Sequence, residues 1–411
     1  KRAVRALCVA SSFPRGAAIA AVRKSGRAPS SALASGRHSS PPAFVHANRQ
    51  RRIAAAAAAA ITQHRPPSSR TRMSSSSSSD DIVTQTKNRV ALLQLPVVAD
   101  KSINLRTAKE GIIRARDAGA RLCVLPEIWN GPYATAAFRE YAESLPGLGD
   151  SLPSSSSSGE EKESAWGESA IMLMEMAKST NMYVVGGSVP ELCASTDRIY
   201  NTCLIVNPAG TIVGKHRKVH LFDVNVPGGI RFEESETLTG GEGATYFDAD
   251  DDDGEGGELG RIGVGICYDI RFPEYALLLT QVHKCRILIY PGAFNMTTGP
   301  AHWELLQRAR AVDGQCFVLT ASPARMPPPP EEEEQGDLSK YPHYSAWGHS
   351  TIVSPWGEVL ATCDEGPDMV VADLDMGKVE QMRTAIPTMS QKRHDIYRLV
   401  EGGDRVDEGD E

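Results

Sequence analysis

The chain has 411 residues, a formal net charge of −7, 41% hydrophobic residues and eight cysteines. That length admits one large α/β domain with extensions, or two domains. No apolar run reaches the ~20 residues of a membrane helix, and no two cysteines form a C-x-x-C pair, so the reading is a soluble protein with free thiols in a reducing compartment, without zinc fingers or a CxxC redox motif.

Charge is divided unevenly along the chain. Residues 1–79 hold 14 of the 44 Lys and Arg and none of the 51 Asp and Glu, which leaves the remainder at net −21. An Arg-, Ser- and Ala-rich segment without acid reads as a disordered extension over 1–80 and as an organelle transit peptide, for a mitochondrion or a plastid. The competing reading starts translation at Met73 and leaves a cytoplasmic protein. The acidic remainder argues against nucleic-acid partners, and the basic arm lacks the interleaved aromatics of a nucleic-acid binder.

The folded region is expected from 88 to 400. It opens with a strand at 89–95, a helix at 103–118 stopped by Gly119, and a strand at 120–126. Residues 151–164 are a Ser-rich insertion. A helix at 166–179 and a strand at 182–189 form a second unit, and strands at 202–207 and 211–215 flank a Pro208-Ala209-Gly210 turn. Residues 248–258 form an acidic, Gly-rich hairpin tip without the ligand order of a calcium loop. A strand at 259–266 runs into a helix at 272–279, followed by a strand at 286–290, a helix at 302–313 and a strand at 316–322. A Pro-then-Glu insertion covers 326–337. Strands at 350–354, 358–363 and 369–373, a helix at 376–382 and an acidic tail at 401–411 complete the chain. No tandem repeat is present.

Three stretches carry candidate chemistry. Cys267, in Gly265-Ile266-Cys267-Tyr268-Asp269, falls on a sharp strand-to-helix turn, where the helix dipole favours thiolate; a small buried core cysteine is the plain alternative. Glu127 ends the apolar run Val124-Leu125-Pro126, where desolvation raises a carboxyl and suits a general base; a loop-mouth salt bridge is the alternative. Lys218 stands in Lys215-His216-Arg217-Lys218-Val219-His220-Leu221-Phe222, either on a solvated basic face or pointing inward as an oxyanion-binding cation. A Cys-His-Asp triad with His220 and Asp223 is disfavoured, because His220 shares a face with Lys218 only if the segment is a strand. Gly240-Gly241-Glu242-Gly243 follows no strand, so it is no dinucleotide fingerprint, and no metal cluster is visible. No cofactor is expected.

Glu, Lys and Cys in this order resemble the nitrilase superfamily of carbon-nitrogen hydrolases, over 88 to about 399. The matching pieces include Leu125-Pro126-Glu127, Tyr200-Asn201-Thr202, Arg217-Lys218-Val219-His220, Gly265-Ile266-Cys267-Tyr268-Asp269, Tyr290-Pro291-Gly292-Ala293-Phe294-Asn295 and Ala346-Trp347-Gly348-His349-Ser350. The resemblance is closest to the omega-amidase branch, which hydrolyses 2-oxoglutaramate and 2-oxosuccinamate.

The resemblance implies an α/β fold of the nitrilase type, a four-layer αββα sandwich, as one domain that pairs into a homodimer. It implies a small-molecule amide substrate, Cys267 as nucleophile, Glu127 as base, Lys218 with the backbone N–H of Tyr268 as oxyanion site, and Glu234 as a second carboxylate orienting Lys218. It brings Tyr133, Thr298 and Arg271 near the site as candidate ligands of a substrate carboxylate. Gly314 stands where the family more often has Asn, and a looser helix end is expected there. Alternatives are deaminated-glutathione amidase, carbamoyl amidohydrolase, nitrilase, or a non-catalytic nitrilase-like binding protein.

Overall fold

A computed structural model of the chain describes residues 88–152, 165–225, 231–249, 259–328 and 341–402. The basic extension at 1–80, most of the three low-complexity insertions and nearly all of the tail at 401–411 lie outside the described residues.

Two sheets carry the fold. The first runs β15 (Asp368–Asp373), β1 (Arg89–Gln94), β2 (Leu122–Val124), β3 (Tyr183–Val185), β5 (Arg198–Val206) and β4 (Val189–Cys193), with β6 (Ile212–Arg217) also paired to β5. The second runs β14 (Val359–Thr362), β13 (Thr351–Val353), β12 (Phe317–Ala321), β11 (Ile287–Pro291), β10 (Arg261–Val264) and β9 (Thr245–Asp248). The centres of both are parallel: β1 with β2 with β3, and β10 with β11 with β12. A separate two-stranded ribbon pairs β7 (Asp223–Asn225) with β8 (Arg231–Glu233).

Side-chain alternation explains how these sheets stack. In β1, Val90 and Leu92 join Leu122 and Val124 of β2 in a cluster with Ile287, Ile289, Phe317 and Val318 of the second sheet. The intervening Ala91 and Leu93 instead join Ile112 and Ala115 of helix α1 (Lys101–Asp117) and Leu173 and Ala177 of helix α3 (Glu168–Thr180). A short helix, α2 (Thr135–Phe138), lies between α1 and α3 in the chain. Beyond the second sheet lie α4 (Pro273–Leu277), α5 (Gly299–Gly314) and the π-helical turn Leu278–Val282, with Tyr275, Leu279 and Trp303 buried. A final helix, α6 (Gly377–Ala385), follows β15. This is the expected αββα sandwich. Its central strands are buried on both faces, which is why they read as continuous apolar runs and not as alternation. Each fully buried Leu, Ile or Val contributes about 1.5–3 kcal/mol of transfer free energy.

The local differences have identifiable causes. α1 starts two residues before the expected position because Asp100 caps it, its Oδ1 accepting from Ser102 N at 2.8 Å and Ile103 N at 3.3 Å. The strand expected at 182–189 is two strands, β3 and β4, broken at Gly186-Gly187-Ser188. Gly187 has φ +62°, and a Cβ there would sit 2.1 Å from Pro126 O. The helix expected at 272–279 is a 3₁₀ turn (Cys267–Arg271), then α4, then the π turn. Gly314 does not loosen α5 but allows close packing. It is buried, and a Cβ there would meet Thr280 Cγ2 at 2.9 Å and Cys316 Sγ at 3.0 Å.

Candidate active site

Each candidate side chain is aimed by its local backbone. Glu127 lies three residues past β2, and the next residue, Ile128, has φ +47°, a strained conformation for a β-branched residue. Its N–H donates to Ser188 Oγ at 3.1 Å. Along β6, Gly214 and His216 face inward while Val213, Lys215 and Arg217 are half-buried, and Lys218 continues this alternation into the interior. The hydrogen bond from Lys218 N to Asn201 O, 2.8 Å, prolongs the pairing with β5 by one residue. Glu234 opens a 3₁₀ turn directly after β8. It exchanges two bonds with Phe222: its N–H donates to Phe222 O at 3.2 Å, and its Oε2 accepts from Phe222 N at 2.7 Å. Cys267 follows β10 with φ +46°. Gly292 leaves room for this turn, since a Cβ at that position would come within 3.2 Å of Cys267 Cα.

These elements bring Glu127, Lys218 and Glu234 together with no exposure to solvent, and Cys267 beside them at 6%. Lys218 Nζ lies 2.9 Å from Glu127 Oε1 and 2.9 Å from Glu234. Glu127 Oε1 also accepts from Asn201 Nδ2 at 2.9 Å, and its Oε2 accepts from Ala293 N at 2.8 Å. One carboxylate oxygen is thus occupied by a cation and an amide, while the other carries one backbone donor.

The electrostatics follow from burial and proximity. Burial lowers the Lys218 ammonium, but Glu127 and Glu234 together outweigh it and hold the group well above the usual lysine range, so it stays charged. Burial pushes the Glu127 carboxyl up, opposed in part by Lys218 and reinforced by Glu234. The Cys267 thiol is driven well above its usual value by burial and then by the Glu127 carboxylate, with Lys218 opposing. The helix dipole expected to favour thiolate at this turn is thereby outweighed. The α-helix after the turn has five residues, and no dipole of that length offsets the desolvation. Cys267 rests as a protonated thiol next to a desolvated carboxylate.

The expected substrate ligands are placed as follows. Tyr133 sits inside the charged cluster, and its hydroxyl donates to Glu234 Oε1 at 2.8 Å, with Glu127 Oε1 at 3.5 Å. Its proton is therefore committed within the site and is not free for a substrate carboxylate. Thr298 precedes α5 and its Oγ1 donates to Asn295 Oδ1 at 3.2 Å. Arg271 ends the Cys267 turn and is half-buried, its guanidinium 4.7 Å from the Phe294 ring centroid and 3.1 Å from His302 Nδ1. Tyr268 is the second residue of that turn, and N–H groups in the first turn of a helix lack partners within it.

Two further residues join the site. Tyr344 lies 4.6 Å from Tyr133 ring to ring and donates to Ala293 O. Asn201, inside the Tyr200-Asn201-Thr202 motif, holds Glu127. The motif marked Asn201, whereas nothing marked Tyr344 beyond the Pro- and Glu-rich run. Among the described residues, no group of three or more His, Cys, Asp or Glu side chains is arranged to hold a metal ion.

A desolvated Glu–Lys–Glu cluster beside a cysteine on a strained turn, set between two sheets with helices outside, is the arrangement of an αββα hydrolase class. The chain belongs to the carbon-nitrogen hydrolase family, whose profile matches residues 89–384. It is 47% identical over 311 residues to the omega-amidase NIT2 of Bos taurus, covering 76% of this chain and 97% of that one. It is 45% identical over 316 residues to a chloroplastic omega-amidase of Arabidopsis thaliana, covering 77% and 75%. Among solved structures, Saccharomyces cerevisiae Nit3, a member of branch 10 of the nitrilase superfamily, superposes with a TM-score of 0.59 at 39% identity, covering 74% of this chain and 96% of that chain. The protein is a hydrolase acting on carbon-nitrogen bonds of amides.

Proposed function

We propose that this protein is an omega-amidase that converts 2-oxoglutaramate or 2-oxosuccinamate to the corresponding dicarboxylate and ammonia, with Cys267, Glu127, Lys218 and Glu234 as its catalytic groups. The observation that carries the reading is the buried Glu127–Lys218–Glu234 cluster beside Cys267, in a chain similar to omega-amidases along most of its length.

The chemistry follows from the geometry. The substrate amide carbon approaches Cys267 Sγ. Glu127 takes the thiol proton as sulfur attacks, which solves the problem of a protonated resting nucleophile without exposing a thiolate to water. Oxygen of the amide becomes an oxyanion, held by the Lys218 ammonium and the Tyr268 N–H. Glu127 then delivers its proton to the nitrogen, the C–N bond breaks, and ammonia leaves a thioester. A water molecule gives a proton to Glu127 and attacks the thioester. The C–S bond breaks, and the proton returns to sulfur. Glu234 keeps Lys218 charged and fixed, with Tyr133 and Phe222 N fixing Glu234. Arg271 is the cation for the substrate carboxylate, aided by Thr298 and bordered by Tyr133. Ammonia release from 2-oxoglutaramate, measured against a carbamoyl substrate and a nitrile, tests the reading. Turnover of either competitor in preference to the keto-acid amide overturns it.

We further propose that the protein works as a homodimer. Leu305 is 63% exposed and Val312 44% on α5, with Trp356 38% exposed nearby in the chain after β13, an apolar outer surface that a second copy covers. Light scattering at micromolar concentration is expected to give twice the chain mass, and a monomer contradicts this. Among the described residues no helix is long and apolar enough to cross a membrane.

For the N-terminus, the basic composition and the similarity to a chloroplastic relative support a transit peptide and an organellar address, mitochondrion or plastid. Deleting residues 1–79 is expected to leave kcat and the thermal midpoint unchanged. Mass spectrometry of the native protein should find a mature N-terminus between about residues 30 and 80. An acetylated start at Met73 or Ser74 with cytosolic fractionation argues instead for a cytoplasmic enzyme.

A further inference from the structure

Four hydrogen-bond contacts converge on the side chain of Asp269, which is fully buried and takes no part in the steps above. Its Oδ2 accepts from Ile266 N at 2.8 Å and lies 3.2 Å from His216 Nε2. Its Oδ1 accepts from His220 N at 2.9 Å and lies 2.8 Å from His220 Nδ1. The backbone closes the same turn from the other side, Asp269 N donating to Ile266 O at 3.0 Å. Burial raises the Asp269 carboxyl, but the hydrogen bonds from His216 and His220 outweigh it and hold the group below the usual carboxylate range. The group is therefore an anion, and its donors are held firmly.

The identity of those donors is informative. Ile266 immediately precedes Cys267. His216 and His220 stand two residues before and two after Lys218. One carboxylate thus holds the backbone beside the thiol and both flanks of the ammonium. The two histidines are themselves braced, His216 Nδ1 lying 3.1 Å from Thr245 Oγ1 and the His220 ring stacked on Phe272 at 3.7 Å. The Cys267 turn requires such bracing, because a non-glycine residue at φ +46° is strained and persists only where the surroundings hold it.

We propose that Asp269, with His216 and His220, is a positioning unit that locks the Cys267 turn to the Lys218 segment and so sets the sulfur-to-ammonium geometry of the reaction. It rests on the roles given above to Cys267 and Lys218. A displacement of about 1 Å at a reacting group costs ~10²-fold in rate, so the lock acts on kcat rather than on substrate binding.

The test uses the full chain carrying Asp269→Asn, His220→Ala or His220→Gln. It reads kcat and KM with 2-oxoglutaramate, and the rate of Cys267 alkylation by iodoacetamide across pH. Asp269→Asn should lower kcat on the order of 10²-fold with KM within about twofold, and displace the alkylation curve along the pH axis. His220→Ala, at a half-buried side chain the fold tolerates, should lower kcat about tenfold, and His220→Gln, which keeps an N–H donor, should recover most of it. Unchanged kcat and alkylation curves in the His220 variants, or an Asp269→Asn variant whose loss matches its unfolded fraction alone, overturn the proposal. If the native protein releases no ammonia from 2-oxoglutaramate, the substrate assignment falls, while the alkylation curves still decide the positioning role.

Discussion

Replacing Cys267 with Ser is expected to abolish amide hydrolysis, by at least on the order of 10⁴-fold, while the fold persists. The exchange changes one atom and little volume, so the buried turn and its Gly292 contact are retained. The new hydroxyl still has the Glu127 carboxylate beside it as an acceptor, so no unsatisfied group is created. What is lost is acidity and nucleophilicity. Glu127 is desolvated enough to take a proton from a thiol but is far too weak a base for a hydroxyl of ordinary acidity. The checks are ammonia release, the thermal midpoint, and the mass of the acyl adduct trapped by acid quench. The adduct should appear in the native protein and be missing from the variant. A Ser variant with full activity would exclude the thioester route.

Lys218→Ala carries the second large effect, and it appears in both rate and stability. Loss of one oxyanion donor lowers kcat on the order of 10²–10³-fold. Removing the cation also strands Glu127 and Glu234 together with no solvent access, and breaking a buried pair this way costs about 3–5 kcal/mol. The pH dependence has a definite sign. Without Lys218, two buried carboxylates face each other and at least one has its folded pKa raised above its unfolded value of ~4.3. The folded variant then binds more protons than the unfolded chain, so its stability is retained at low pH and lost as pH rises. The variant's melting temperature relative to native should therefore be lowest near neutrality and partly restored toward pH 5. A change in KM alone, at full stability, would instead make Lys218 a substrate ligand.

The candidate cluster was legible in part because it places unusual residues at apolar positions. Glu127 closes an apolar strand run and Cys267 breaks one, whereas Lys218 stands in a basic run that reads equally as a solvated face and was set apart only by the family resemblance. The central strands were legible for the same reason, as long apolar stretches between turn residues. What sequence left hidden depends on contacts distant along the chain. The β7–β8 ribbon pairs three residues with three, too few for any periodicity. Tyr344 reaches the site across a low-complexity insertion, with nothing local to mark it. As a candidate ligand of a substrate carboxylate Tyr133 carries no local sign of its hydrogen-bond partner, because Glu234 lies 101 residues away. The helix dipole expected to favour thiolate at Cys267 is outweighed because the helix is short and the burial deep. Arg271, four residues along the chain from Cys267 with its guanidinium over the Phe294 ring, was reached only through the family resemblance.

The pairing of β15 with β1 fixes the schedule on which this protein is made. Arg89 and Asp373 are ladder partners and form an ion pair across 284 residues of chain. At ~5–20 residues per second, a ribosome needs roughly 15–60 s to travel from one to the other. Throughout that interval β1, ahead of every other described strand in the chain, offers an unpaired apolar edge of the kind that recruits other chains. The nascent enzyme must be shielded along that edge until nearly all of its folded region has been translated, and a ribosome stalled between β14 and β15 releases a sticky, unfinished sheet.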